Sequence, residues 1–239
     1  MARLDVLYLA LIGIAAVVDH FVIWRGFVRR SPADPARART VLWTRWMTVL
    51  WTLTAAGAWV WRHDARPWEL LRLVPPHGWR LWVAVTLVLV LILTYMRRVI
   101  RIAQSTRVRR VKMGHPNVER LVPHDSRELR WWIALSCSAG FCEEFIFRGF
   151  LIAAVEPAVG LGGAAALSIV AFGAAHAYQG VRGVVSTGAV GTILTFVVLA
   201  SGSLLPAMVM HAVIDIGEGL VGWLVMRRPQ PGLKNRDDA

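Results

Sequence analysis

Seven ionisable side chains fall within apolar stretches of the second half of this 239-residue chain: Glu143, Glu144, Arg148, His176, His211, Asp215 and Glu218. Burying such a group in hydrocarbon costs about 2.5–3.5 kcal/mol on insertion scales, so each is expected to face a cavity or a partner. Glu144 and Arg148 are four residues apart, share one helical face and are expected to pair. Glu143 is turned by about 100° from its neighbour and must find its partner on another helix. His211 and Asp215 share a face by the same four-residue spacing, with Glu218 three residues further on. His176 stands alone, four residues after Phe172.

A carboxylate held in a dry site can be poised as a general base. A nearby histidine can share its water, and a second can stabilise the oxyanion formed when that water attacks a carbonyl. The same set of Glu143, His176 and His211 can instead ligate a divalent metal such as zinc. Residue types alone fit either chemistry. Each group also has a structural reading. Glu144 with Arg148 is then a plain ion pair, His176 a helix-packing residue, and His211 with Asp215 interhelical glue. Glu156, next to Pro157, reads as a loop carboxylate, and Asp19 with His20 as residues near a membrane interface.

The elements that must position these groups are membrane helices. Hydrophobic residues make up 56% of the chain and the mean hydropathy is +0.51, above the roughly 45–50% apolar content of soluble domains. A span needs about 20 apolar residues. Seven such stretches are expected, at about 5–24, 41–61, 79–96, 130–155, 161–180, 184–200 and 205–226, giving an all-α integral membrane protein. Turn signals separate them, among them Ser31-Pro32, Pro75-Pro76, Glu156-Pro157, Gly180, Gly202 and Pro206. The expected organisation is three N-terminal spans with a basic loop over 1–127, a catalytic core over 128–226 and a polar tail over 227–239. No internal repeat is evident.

The net charge of +12 does not mark a nucleic-acid binder, because the basic residues lie between apolar segments, where lipid head groups account for them. Of the 27 Lys and Arg, 21 fall on one side of the expected membrane and five on the other, with Arg148 inside a span. The positive-inside rule then puts the C-terminus in the cytoplasm and the N-terminus outside. The plasma membrane of a prokaryote is the expected location. The basic segment from Arg97 to Lys112 reads as a solvated, lipid-facing helix. Cys137 and Cys142 have neither metal-site nor disulfide spacing and read as small buried thiols. The apolar run after Arg3 lacks a small-residue cleavage site and reads as an uncleaved first helix.

The first three spans are bulky and edged with Trp43, Trp46, Trp51, Trp59, Trp61 and Trp79, as an aromatic belt would be. The last four are rich in Gly and Ala, which lets backbones approach closely. The last four are therefore expected to form a tight core with the first three around it. No H-E-x-x-H or H-x-x-E-H run is present, and no G-x-S-x-G elbow.

Read in order, Glu143-Glu144-Phe145-Ile146-Phe147-Arg148, Phe172-Gly173-Ala174-Ala175-His176 and His211-Ala212-Val213-Ile214-Asp215 are EExxxR, FxxxH and HxxxD on successive membrane helices. This set resembles the CPBP family of intramembrane proteases (Abi, or CAAX protease, Rce1-like) across roughly 128–226. The resemblance implies an endopeptidase acting on membrane-bound or lipid-modified, for example prenylated, protein substrates. It implies Glu143 as the base that activates water, His176 as its helper, Glu144 and Arg148 as supports, and His211 and Asp215 as oxyanion or substrate ligands. Both metal-dependent and glutamate-dependent members have been described. Asp215 replaces the Asn of some members, and an ionised Asp accepts hydrogen bonds but cannot donate one. On straight helices with the limits above, His176 lies about 9 Å nearer the cytoplasm than Glu143 and Asp215. Bringing them together demands a tilted fifth helix or different ends. The competing readings are a proton-coupled transporter, against which the missing inverted repeat argues, and a noncatalytic scaffold or immunity factor derived from the family.

Overall fold

The computed structural model describes residues 2–104 and 116–226, and all regular structure among them is helical. Helix α1 (Arg3–Val18) runs through a π-helical stretch, Asp19–Trp24, into α2 (Arg25–Arg30). Helix α3 (Pro35–His63) has Pro35 in its first turn and Asp34 as its cap, whose carboxylate accepts from the Arg37 N–H at 3.0 Å; both features are start signals readable in sequence. Then follow α4 (Trp79–Gln104), α5 (Pro116–Leu121) and α6 (Ser126–Glu143), the last capped by Asp125, which accepts from the Glu128 N–H at 2.8 Å. A second π-helical stretch, Glu144–Leu151, joins α6 to α7 (Ile152–Ala175). Helices α8 (Gly180–Ser201) and α9 (Leu205–Met226) complete the order.

Five helical segments are long and apolar enough to cross a membrane: Arg3–Arg30, Trp79–Gln104, Ser126–Ala175, Ala177–Ser201 and Leu205–Met226. The chain is an all-α, multi-pass membrane protein. Three of the seven expected spans differ from the rest. The 50-residue segment Ser126–Ala175 holds two of them in one helical run, broken at Gly160, whose φ of +74° is open to glycine and strained for other residues. The expected span at 41–61 lies on α3, where Thr44, Arg45, Trp46, Thr48 and Thr52 lower the hydropathy below that of the other segments.

Helix α6 packs between α3 and α9, α7 against α8, and α4 against α9. In the apolar stretches of the Arg3–Arg30 segment and of α4 only 6% of residues are buried, against 28–39% in the three C-terminal segments. The C-terminal helices thus form the denser centre. Their outward faces carry exposed Val170, Val181, Val185 and Phe196, which suits hydrocarbon as solvent. The core joins Phe145, Ile146 and Phe150 to Ile152, Phe172, Leu194, Val198 and Met208, and receives Tyr8 and Trp61 from the N-terminal helices.

Charged pairs clamp the helix ends. Buried Arg39 donates to Glu128 at 2.7 Å from Nη2 and 3.1 Å from Nε, tying α3 to α6. Arg66 reaches Asp5 at 2.7 Å, and Arg98 of α4 pairs with Glu218 of α9, which also accepts from the Tyr95 hydroxyl at 3.2 Å.

Several expectations change in detail. The third span runs on to Gln104, because arginines are good helix formers and Arg98 has a partner across the helix interface. The rest of the basic segment, 105–112, and the tail 227–239 lie outside the described residues. Glu156 is not on a loop: it sits inside α7 despite Pro157, and Arg72 Nη2 lies 3.5 Å from its carboxylate. Pro157 has no N–H to donate to the Ala153 carbonyl, yet the helical run continues through it and breaks three residues later at Gly160. Cys142 is a buried thiol, but Cys137 is exposed on the outer face of α6.

Candidate active site

The carboxylates stand at the end of α6, where the backbone widens into π-helix. All eight residues of Glu144–Leu151 are buried. Single π-helical turns inside α-helices recur at functional sites, and this one turns Glu143 and Glu144 to different surroundings. Glu144 is fully enclosed. Its Oε1 accepts from Arg148 Nη1 at 2.9 Å and faces His211 Nδ1 at 2.9 Å. Arg148 is likewise enclosed: Nη2 donates to the Gly191 carbonyl at 3.1 Å, Nε to Thr195 Oγ1 at 3.3 Å, and the guanidinium lies 4.0 Å from the Phe172 ring centre. A Cβ on Gly191 would stand 2.9 Å from Arg148 Nη2 and from the Phe172 ring, so this approach requires glycine.

The two histidines have their tautomers set by their partners. His176 Nδ1 is 2.8 Å from the Phe172 carbonyl, which can only accept, so Nδ1 carries the proton and the Nε2 lone pair is free. His211 Nδ1 faces a carboxylate already engaged by Arg148, so it too is the donor. Both Nε2 atoms then turn to one place: each lies 3.9 Å from Glu143 Oε2. Among the described residues, that oxygen is buried without a hydrogen-bond partner. Asp215 Oδ2 is 3.7 Å from His211 Nε2, and the Asp215 carbonyl accepts from Trp132 Nε1 at 2.7 Å. The side chains of Glu143 and His176 are 14% and 16% exposed, and that of Asp215 35%, so the cluster is largely enclosed and most open at Asp215.

The structure therefore gathers Glu143, Glu144, Arg148, His176, His211 and Asp215 around one point. The 9 Å offset expected for His176 vanishes because α7 ends at Ala175 and not near Gly180, with His176 as its terminal residue, and because the run from Ser126 bends at Gly160. The set Glu143, His176 and His211 does not fit a metal ion as placed. Ligands of a tetrahedral zinc stand roughly 3.3 Å apart, whereas the Glu143 oxygen is 3.9 Å from each imidazole. Among the described residues no group of three or more His, Cys, Asp or Glu is close enough to hold one.

Residues 125–217 match the family model of Rce1-like, type II CAAX prenyl endopeptidases. This stretch is an Rce1-like domain. No curated protein and no solved structure matches the chain. The Rce1-like domain contains all six clustered residues, and its family is one of membrane-embedded peptidases with protein substrates.

The cavity in front of the cluster reaches beyond the Rce1-like domain. It measures about 480 Å³ and is lined by Glu143, His176, His211 and Asp215 together with Ile12, Ala15, Asp19, Trp46, Val49 and Leu53 of the N-terminal helices. Asp19 sits at the start of the first π-helical stretch and accepts from Trp46 Nε1 at 2.6 Å. The Trp46 ring packs 5.2 Å from that of Tyr178, which lies 5.9 Å from His176. In sequence Asp19 has only an interfacial reading and Tyr178 has none, because their spacing to the motifs has no helical period. A carboxylate after 18 largely apolar residues was the available signal.

Proposed function

We propose that this chain is an intramembrane endopeptidase in which Glu143 activates a water molecule to hydrolyse a peptide bond. The observation that carries this reading is the convergence of two imidazole Nε2 atoms on the otherwise unpartnered Glu143 Oε2, each at 3.9 Å. That separation is too long for direct hydrogen bonds and suits one small molecule shared by all three groups.

In this mechanism Glu143 accepts a proton from the water while the His176 Nε2 lone pair accepts the other O–H and fixes its orientation. The water oxygen attacks the carbonyl carbon. His211, as imidazolium with Nδ1–H on Glu144, directs Nε2–H to the oxyanion. Asp215, an acceptor at 3.7 Å, balances that imidazolium and does not itself bind the oxyanion. Collapse of the intermediate breaks the C–N bond, and the proton held by Glu143 passes to the leaving amine. Glu144 and Arg148 act as positioning residues. No step calls on a metal ion, which agrees with the donor spacing.

The substrates proposed are membrane-associated proteins, lipid-modified ones among them, since the cavity wall formed by Ile12, Ala15, Val49, Leu50 and Leu53 is apolar. The basic connections are proposed to face the cytoplasm. Incubating purified protein in detergent with prenylated and membrane-anchored peptides tests the reading: cleavage that survives a chelator and falls by about 10²-fold or more in His176→Ala supports it, and cleavage that His176→Ala keeps at the wild-type rate overturns it.

A further inference from the structure

Four carboxylates line the cavity, Asp19, Glu143, Asp215 and Glu218, and no Lys or Arg does. Three of them are compensated by the protein. Glu143 and Asp215 face the histidines, and Glu218 is paired with Arg98. The Asp19 carboxylate accepts from the neutral indole of Trp46; the basic groups that act on it are the imidazoles of His20 and His176, and no arginine or lysine among the described residues pairs with it. An ionisable group within a membrane segment that lacks a counter-charge marks a functional site by default.

Its placement is also specific. Asp19 opens a π-helical stretch in the first membrane segment, and π turns in otherwise regular helices are rare and frequently found at functional sites. The chain has two such stretches among the described residues, Asp19–Trp24 and Glu144–Leu151, and both contribute to the lining of one cavity, through Asp19 and through Ile146 and Phe147. Trp46 fixes one carboxylate oxygen, and the Trp46–Tyr178 ring contact links that wall to His176.

We infer that Asp19 is a specificity-determining residue that docks a lysine or arginine side chain of the substrate beside the scissile bond. The inference rests on the peptidase reading of the same cavity and names its substrate class: membrane-associated peptides carrying a basic residue next to an otherwise apolar cleavage region. A cation there supplies the charge that Asp19 lacks, in a partly dry site where close charge pairs contribute far more than on a surface.

The test uses the full-length protein and one apolar fluorogenic parent peptide, with lysine, norleucine or glutamate placed in turn at each position flanking the cleaved bond. Cleavage is measured for wild type, and binding of the labelled peptides is measured on Glu143→Gln protein. The expected result is a preference for lysine over norleucine of about tenfold or more at one position, in both cleavage and binding. Asp19→Asn keeps an acceptor for Trp46 Nε1 and is expected to collapse that ratio to near one. Asp19→Glu retains the preference, and Asp19→Lys shifts it to the glutamate peptide. A lysine preference that is absent, or that is unchanged in Asp19→Asn, overturns the inference. Lysine-selective, Asp19-dependent binding without cleavage would sink the peptidase reading and leave the cation site standing.

Discussion

Glu144 Oε1 is shared between two helices: Arg148 Nη1 and His211 Nδ1 both donate to it at 2.9 Å. One buried carboxylate therefore sets the charge balance of the π-helical stretch and the orientation of the imidazole that faces Glu143. Glu144→Ala leaves Arg148 buried without its counter-charge, and breaking a buried pair in this way costs about 3–5 kcal/mol. Unfolding in a mild detergent should show a loss of that size. Glu144→Gln also removes that counter-charge but keeps an acceptor for one of the two donors, so it should lose less stability than Glu144→Ala while losing peptidase activity. An Ala variant as stable as wild type would show that the shared oxygen does not anchor the helices.

Arg148 uses its planar fork at three points and its face at a fourth: Glu144, Gly191 and Thr195, with Phe172 stacked at 4.0 Å. A lysine has the charge but not the fork. Arg148→Lys should destabilise the protein by about 1–3 kcal/mol, since the Gly191 carbonyl and the Thr195 hydroxyl lose their donors. Chemical unfolding of both proteins in the same detergent reads this directly.

Part of this site was legible before any coordinates. The i, i+4 pairs Glu144–Arg148 and His211–Asp215 follow from helical period alone, and Glu143 had to look off its own helix. The period could not show that Glu144 would also hold His211, because that contact joins residues 67 positions apart. It could not show the π-helical turns, which change the angular step without changing composition. Gly180 reads as a helix stop in sequence, whereas α7 ends at Ala175, and neither Ala175 nor His176 carries a stop signal. Asp19 reads as an interfacial residue in sequence, since only tertiary packing brings α1 to the mouth of the cavity.

Gly191 tests how closely α8 must approach the buried pair. A methyl there would stand 2.9 Å from both Arg148 Nη2 and the Phe172 ring. Gly191→Ala should push the guanidinium off the Gly191 carbonyl and cost about 1–3 kcal/mol by overpacking. The displaced Phe172 carries the carbonyl that fixes His176, so activity should fall along with stability. Gly188→Ala, where nothing lies within 4 Å of the added atom, serves as the control.

His176 is held by one hydrogen bond to its own helix, so its removal should spare the fold and strike the reaction. His176→Ala should lower kcat by about 10²–10⁴-fold, the usual contribution of one positioned acid–base group, with a thermal midpoint close to that of wild type. Loss of folding along with activity would assign His176 a structural role instead.

The most direct measurement is cleavage of a membrane-anchored peptide by purified wild type and by Glu143→Gln, each with and without a chelator. The carboxamide keeps the shape of Glu143 but is not a base. The account predicts cleavage by wild type in both conditions and none by Glu143→Gln, with the two proteins unfolding alike. Cleavage by Glu143→Gln, or its loss from wild type on chelation, would contradict a Glu143-activated water as the source of the chemistry.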